Sequence, residues 1–317
     1  MSDVGLIDRA IAAALPLVPT RLVRDFAAPY IGGETLGQAL TTVGRLNEAG
    51  MAATLDVLGE HVHDAGTVRA MVRAYLAALD GLAAQGADAG VSVKPSALGA
   101  ALDADLCHDA VVEILDRAAA NCRFVRLDME EAATVDATLD LYRRLRSEGR
   151  ENVGVVLQAR LWRTTDDVRR LLDLRPDVRL CKGIYLEPPA VAMQDRDAIR
   201  QSFSGLLRQL LRGGAHVDIA THDELLVTDA LGALDESGVP RDGYEFQMLL
   251  GVRGDLAQTL RRAGHRVRIY VPYGRDVFAY SVRRLRENPA VAGHVARALA
   301  RDMVRAVRHG RRAPHSR

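Results

Sequence analysis

Lysine is almost missing from this chain. Of its 42 lysine and arginine residues only two are lysine, Lys94 and Lys182. Aromatic residues are scarce at 4%, and three cysteines are spread over 317 residues. Each shortage excludes something. Cys107, Cys122 and Cys181 have no metal-ligand spacing, which leaves reduced thiols as the default. No pair of histidines stands at metal spacing with a carboxylate, so no metal is expected and a metal hydrolase is not supported. There is no G-x-S-x-G elbow, no Walker loop and no G-x-G-x-x-G after a strand-like run, so neither a serine hydrolase nor a common nucleotide site is supported. Net charge is only +1, and nothing points to nucleic acid as a partner. No run of about 18 apolar residues occurs, and the N-terminus, MSDVGLIDRA, lacks a basic region followed by a signal core. The expected location is the cytoplasm, with room for peripheral contact at the inner face of a membrane.

What is present is mostly alanine and arginine, a composition that writes surface cations as arginine. A lysine that survives such a bias suits a place where a compact ammonium fits and a planar fork does not. Both lysines fall in short motif-like stretches, VSVKP and LCKGIY. Apolar residues make up 48% of the chain, enough for one large α/β domain.

Residues 1–50 read as a helical segment. LIDRAIAAALPLV and ETLGQALTTVGRLNEAG carry apolar residues at three- and four-residue steps, joined by the turn-rich FAAPYIGGE. From residue 51 short apolar runs alternate with longer amphipathic stretches. The runs are MAATLDVLG (51–59), VSVKP (91–95), FVRLD (124–128), NVGVVLQA (152–159), VRLCKG (178–183), HVDIATH (216–222), YEFQML (244–249) and VRIYVP (267–272). They read as near-continuous apolar strands covered on both faces. Eight strand-then-helix units predict a (βα)8 barrel over 51–310, and AVAGHVARALARDMVRAVRHG reads as an extra C-terminal helix. Residues 311–317 read as a disordered basic tail.

Barrel sites form where strands end and βα loops begin. Polar groups stand at most of these ends: Glu60, Lys94, Asp128, Gln158, Arg179 with Lys182 and Tyr185, Thr221 with His222, and Tyr270. After the eighth strand, YSVRRLREN continues as a helix. At about 100° per residue, Tyr280, Arg283, Arg284 and Glu287 share one face. A solvated helix face is the plain alternative. Together these residues make a mouth rich in cations, suited to a small carboxylate or to a cofactor with phosphates.

At this point a family becomes recognisable. VSVKPSALG, RLDMEE, VVLQARLWRT, RLCKGIYLEP, DIATHD, YEFQMLLG and YVPYG…YSVRRLREN stand in the order found in the proline dehydrogenases. The chain resembles that family from about Phe26 onward, at monofunctional bacterial length. The resemblance implies an FAD-dependent (βα)8 enzyme that oxidises L-proline to Δ1-pyrroline-5-carboxylate, by hydride transfer from C5 to flavin N5. It implies that Lys94, Arg283 and Arg284 hold the proline carboxylate, with Tyr270, Tyr280 and Leu180 around the ring. Asp128 and Arg179 would be catalytic, Asp128 by orienting Tyr270 and Lys94. Glu60 would gate the pocket. Met129, Gln158, Arg179, Lys182, Gly183, Ile184, Tyr185, Thr221, His222 and Glu287 match cofactor-binding positions. A membrane quinone would take the electrons, and a separate pyrroline-5-carboxylate dehydrogenase would take the product. Three positions depart from the family pattern. Ile184 replaces an alanine, Asp223 stands where asparagine is common, and Leu250 where tyrosine or histidine often stands.

Two rival readings stay open. Lys182 or Lys94 at a barrel strand end could form a Schiff base, as in class I aldolases. Alternatively, the barrel could bind flavin or proline as a sensor without turnover.

Overall fold

The computed structural model describes residues 28–59 and 62–274. Eight parallel strands run in sequence order: Ala52–Val57 (β1), Ala89–Val93 (β2), Val125–Leu127 (β3), Val153–Gln158 (β4), Asp177–Cys181 (β5), His216–Ala220 (β6), Tyr244–Leu249 (β7) and Val267–Tyr273 (β8). Each pairs with the next, and β8 pairs back on β1, so the sheet closes into a barrel. Seven helices follow β1 to β7: Ala65–Ala84 (α2), Ala104–Ala120 (α3), Val135–Ser147 (α4), Thr164–Leu171 (α5), Arg196–Arg212 (α6), Glu224–Ser237 (α7) and Gly254–Arg262 (α8). The (βα)8 expectation holds, with strand positions close to those read from the apolar runs.

Helix starts are written locally. Asp64, Asp103, Asp195 and Asp223 each accept a backbone N–H from the first turn of the helix that follows, satisfying donors that have no intrahelical partner. An earlier helix, Leu36–Glu48 (α1), opens with a capping box between Thr35 and Gln38. It packs over the seam where β1 meets β8, with Ala39 and Val43 fully buried. The backbone N–H of Gly32 donates to the Pro272 carbonyl at 2.8 Å. This part of the N-terminal helical stretch is thus packed as barrel wall.

One expectation is corrected. The strands are not apolar on both faces but alternate. Leu55, Val91, Val93, Val125, Leu127, Val155, Val178, Val217, Ile219, Phe246 and Val271 are buried apolar residues that belong to the core under the helices. The alternate positions turn into the barrel and carry Asp56, Ser92, Arg126, Arg179, Asp218, Glu245, Gln247 and Arg268. Most of these polar side chains are buried. A polar lumen survives because its members bond to one another. Arg126 donates to Asp218 at 2.6 Å and also to Asp177, and Arg268 donates to Glu245 at 2.5 Å. Gly154 on β4 makes room for this arrangement: a Cβ there would overlap the Arg126 guanidinium.

Candidate active site

The C-terminal ends of the strands hold a compact network of charge. Lys94 follows β2 directly, and Pro95 ends the strand there by opening a 3-10 turn. The Lys94 ammonium donates to both oxygens of Asp56 on β1, at 2.6 and 2.7 Å. Asp128, one residue past β3, lies 3.9 Å from the same ammonium. Its other oxygen accepts from Ser92 Oγ at 2.9 Å and from Arg179 Nη1 at 2.8 Å. The Tyr270 hydroxyl donates to Asp128 Oδ2 at 2.8 Å. Arg179 crosses the lumen from β5, with its Nε donating to Gln247 Oε1 at 2.5 Å and its guanidinium carbon 5.4 Å from the Tyr270 ring centre. Two cations and two carboxylates, all buried, therefore meet around one tyrosine.

The electrostatics follow from that geometry. Burial pushes the Asp56 carboxyl up; Lys94 opposes this and Asp128 adds to it. Burial and the charges of Asp128 and Asp56 push the Tyr270 phenol well above its usual value, so it stays a hydroxyl donor.

The neighbouring loops carry most of the other expected residues. Gln158 ends β4 and is 3% exposed; its Nε2 donates to the Glu130 carbonyl at 2.8 Å. Met129 is buried just past β3. Lys182, with 41% of its side chain exposed, pairs with Asp223 at 3.1 Å. Gly183 sits at φ +95°, a conformation that favours glycine, and a Cβ would lie 2.8 Å from Gln158 Oε1. Ile184 and Tyr185 are half-buried in the same loop. Thr221 is buried and accepts from the Asp223 N–H at 3.1 Å. His222 Nε2 accepts from the Leu249 N–H at 2.9 Å.

Leu180 is not brought to the mouth. It has no exposed surface. With Arg179 turned into the lumen, strand alternation turns Leu180 to the helix layer. Glu60, Tyr280, Arg283, Arg284 and Glu287 lie outside the described residues.

Sequence reasoning passed over Asp56, Ser92 and Gln247. Their signal was available in the period-two pattern of TLDV, VSVKP and EFQML, where a polar residue recurs at every second, lumen-facing position. A further group, Asp177, His216 and Asp218, could offer three metal ligands. Arg126 already bonds both of its carboxylates.

The family model described as proline dehydrogenase matches residues 39–297. The chain belongs to the proline dehydrogenase family. It is 37% identical to a proline dehydrogenase of Deinococcus radiodurans over 279 residues, covering 87% of this chain and 90% of that one. It is 34% identical to proline dehydrogenase 1 of Bacillus subtilis over 273 residues, covering 86% and 90%. Among solved structures, proline utilization A of Bdellovibrio bacteriovorus superposes with a TM-score of 0.77 at 22% identity. The match covers 82% of this chain and 32% of that one. At that identity it speaks for the barrel alone. In the family's frame, the Lys94–Asp128–Arg179–Tyr270 cluster is the candidate active site.

Proposed function

We propose that this chain is an FAD-dependent oxidoreductase that converts L-proline to Δ1-pyrroline-5-carboxylate. The observation that carries the reading is the pair of buried cations, Lys94 and Arg179, each held by a carboxylate at the barrel mouth. One can meet a substrate carboxylate while the other faces a cofactor.

FAD fits the donor set. Among the described residues, the Arg179 side chain bonds through Nε and Nη1 and the Gln158 side chain through Nε2, which leaves Nη2 and Oε1 over. They offer one cationic donor and one acceptor, and a flavin edge presents both carbonyl and N–H groups to match. Lys182, Gly183, Ile184, Tyr185, Thr221, His222 and Met129 are the other residues proposed to hold it. When bound, FAD supplies the acceptor for the hydride that leaves proline C5.

The chain's own residues orient and polarise. Lys94, held by Asp56 and Asp128, is placed to bind the carboxylate, with Arg283 and Arg284 as its proposed companions and Glu60 as the proposed gate. Tyr270, fixed by Asp128, walls the ring beside the proposed Tyr280. Arg179 brings positive charge to where negative charge develops. Asp128 acts by holding these groups, since both of its oxygens are occupied by donors.

The Schiff-base alternative loses support at Lys94, whose Nζ is engaged by both Asp56 oxygens. A quinone as electron acceptor, a separate dehydrogenase for the product and a cytoplasmic location with transient membrane contact complete the proposal. No helix among the described residues is long and apolar enough to cross a membrane.

The test is an absorbance spectrum of the purified protein before and after anaerobic L-proline. A flavin band that bleaches is expected. A colourless, inert protein would overturn the proposal, and a flavin band that proline leaves untouched would favour a non-catalytic sensor.

A further inference from the structure

We propose that Gln247 is a positioning residue that fixes how the Arg179 guanidinium presents itself to the mouth. The inference rests on the reading above that Arg179 faces a flavin.

The argument begins with β7. Alternation in YEFQML turns Glu245 and Gln247 into the lumen, and both are buried. Gln247 Nε2 donates to Asp218 Oδ2 at 2.5 Å and to Glu245 Oε1 at 2.6 Å. Ionised carboxylates only accept, so the amide nitrogen must face them. The reversed amide would set an oxygen against two carboxylates. Gln247 Oε1 is therefore committed to the opposite side, where Arg179 Nε donates to it at 2.5 Å.

Arg179 is then gripped on two edges. Gln247 holds Nε, while Asp128 and Ser92 hold Nη1 at 2.8 and 3.1 Å. Nη2 is the nitrogen left over among the described contacts. The grip is anchored below, because Arg126 donates to Asp218 and Arg268 to Glu245. A hydrogen-bonded chain thus runs from the N-terminal end of the barrel to its mouth. Without Gln247, the guanidinium keeps one held edge and can pivot about it. A misplacement of about 1 Å at a reacting centre can cost about 100-fold in rate.

The experiment uses the FAD-loaded protein and the substitution Gln247→Met, close in length and without the acceptor. Expected are a kcat reduced by about 100-fold, a KM for proline changed far less, and a flavin midpoint potential shifted to a more negative value. In an Arg179→Met background, Gln247→Met should add nothing to the potential shift, because both substitutions act through one group. Gln247→Asn, which keeps an amide but shortens its reach, serves if methionine fails to fold, with the same pattern expected. A variant that melts lower yet keeps wild-type kcat and potential would overturn the inference and leave Gln247 as lumen packing. So would potential shifts that add in the double variant. A wild-type protein without flavin or proline turnover would instead overturn the functional reading.

Discussion

Asp56 is the residue on which the carboxylate end of the site depends, and nothing near it in sequence says so. It is 1% exposed and grips Lys94 with both oxygens. Removing one member of a buried pair leaves the other charge unpaired, which typically costs about 3–5 kcal/mol. Asp56→Asn should lower the unfolding free energy by up to about that amount in a denaturant titration, with Asp128 at 3.9 Å from the ammonium offsetting part of the loss. A proline analogue with an intact carboxylate should then raise the melting temperature of the variant more than that of the wild type, because it restores the missing charge. An unchanged titration curve would show that Lys94 finds its counter-charge elsewhere. Lys94 itself was legible, as one of two lysines in an arginine-rich chain. Its partner was not, because an aspartate in an apolar strand looks the same whether it meets a lysine or a water.

At the scale of elements, the loop after β5 is the piece that two others hold, those after β3 and β4. Arg160, beyond β4, donates to the Tyr185 carbonyl at 2.7 Å and to the Met193 carbonyl at 3.4 Å. Trp162 Nε1 donates to the Pro189 carbonyl at 2.9 Å. The Ala132 N–H, beyond β3, donates to Glu187 Oε1 at 2.7 Å. This loop carries Lys182, Gly183, Ile184 and Tyr185, so its shape sets the proposed cofactor contacts. Arg160→Ala should speed amide exchange across residues 183–193 and lower flavin occupancy, with the barrel strands as protected as before. Uniform exchange in the two proteins would show that the other staples suffice. The motif RLCKGIYLEP marked the loop as important; that an arginine from another loop shapes it required the fold.

For the whole molecule, the polar lumen makes stability depend on acid. Burial pushes the Asp218 carboxyl up, but Arg126, His216 and Arg179 outweigh it and hold the group down to about 2, from 3.8. A carboxylate depressed in the folded state stabilises the fold above its unfolded value, and that contribution is lost as pH falls through the folded one. Asp56 is raised and works in the opposite direction, favouring the folded state when protonated and losing that advantage as pH rises through its folded value. Asp218→Asn should therefore lose less stability than the wild type between pH 3.8 and about 2, followed by circular dichroism. Parallel acid curves for the two proteins would contradict the assignment.

The sequence by itself determined the barrel, because eight apolar runs separated by amphipathic helices leave few other closed arrangements for a parallel sheet. It also determined the family, since ordered motifs survive without any knowledge of contacts. Lys94, Asp128, Arg179 and Tyr270 were legible because each is a polar residue within or just past an apolar run, Lys94 and Asp128 directly after their strands and Arg179 and Tyr270 inside theirs. What only tertiary structure decided is the wiring between them. Asp56 and Lys94 are 38 residues apart, and Arg179 and Gln247 are 68 apart. No local pattern encodes which lumen residues come face to face. That depends on how the closed sheet sets the register of each strand, and on the glycine at position 154 that lets an arginine turn inward.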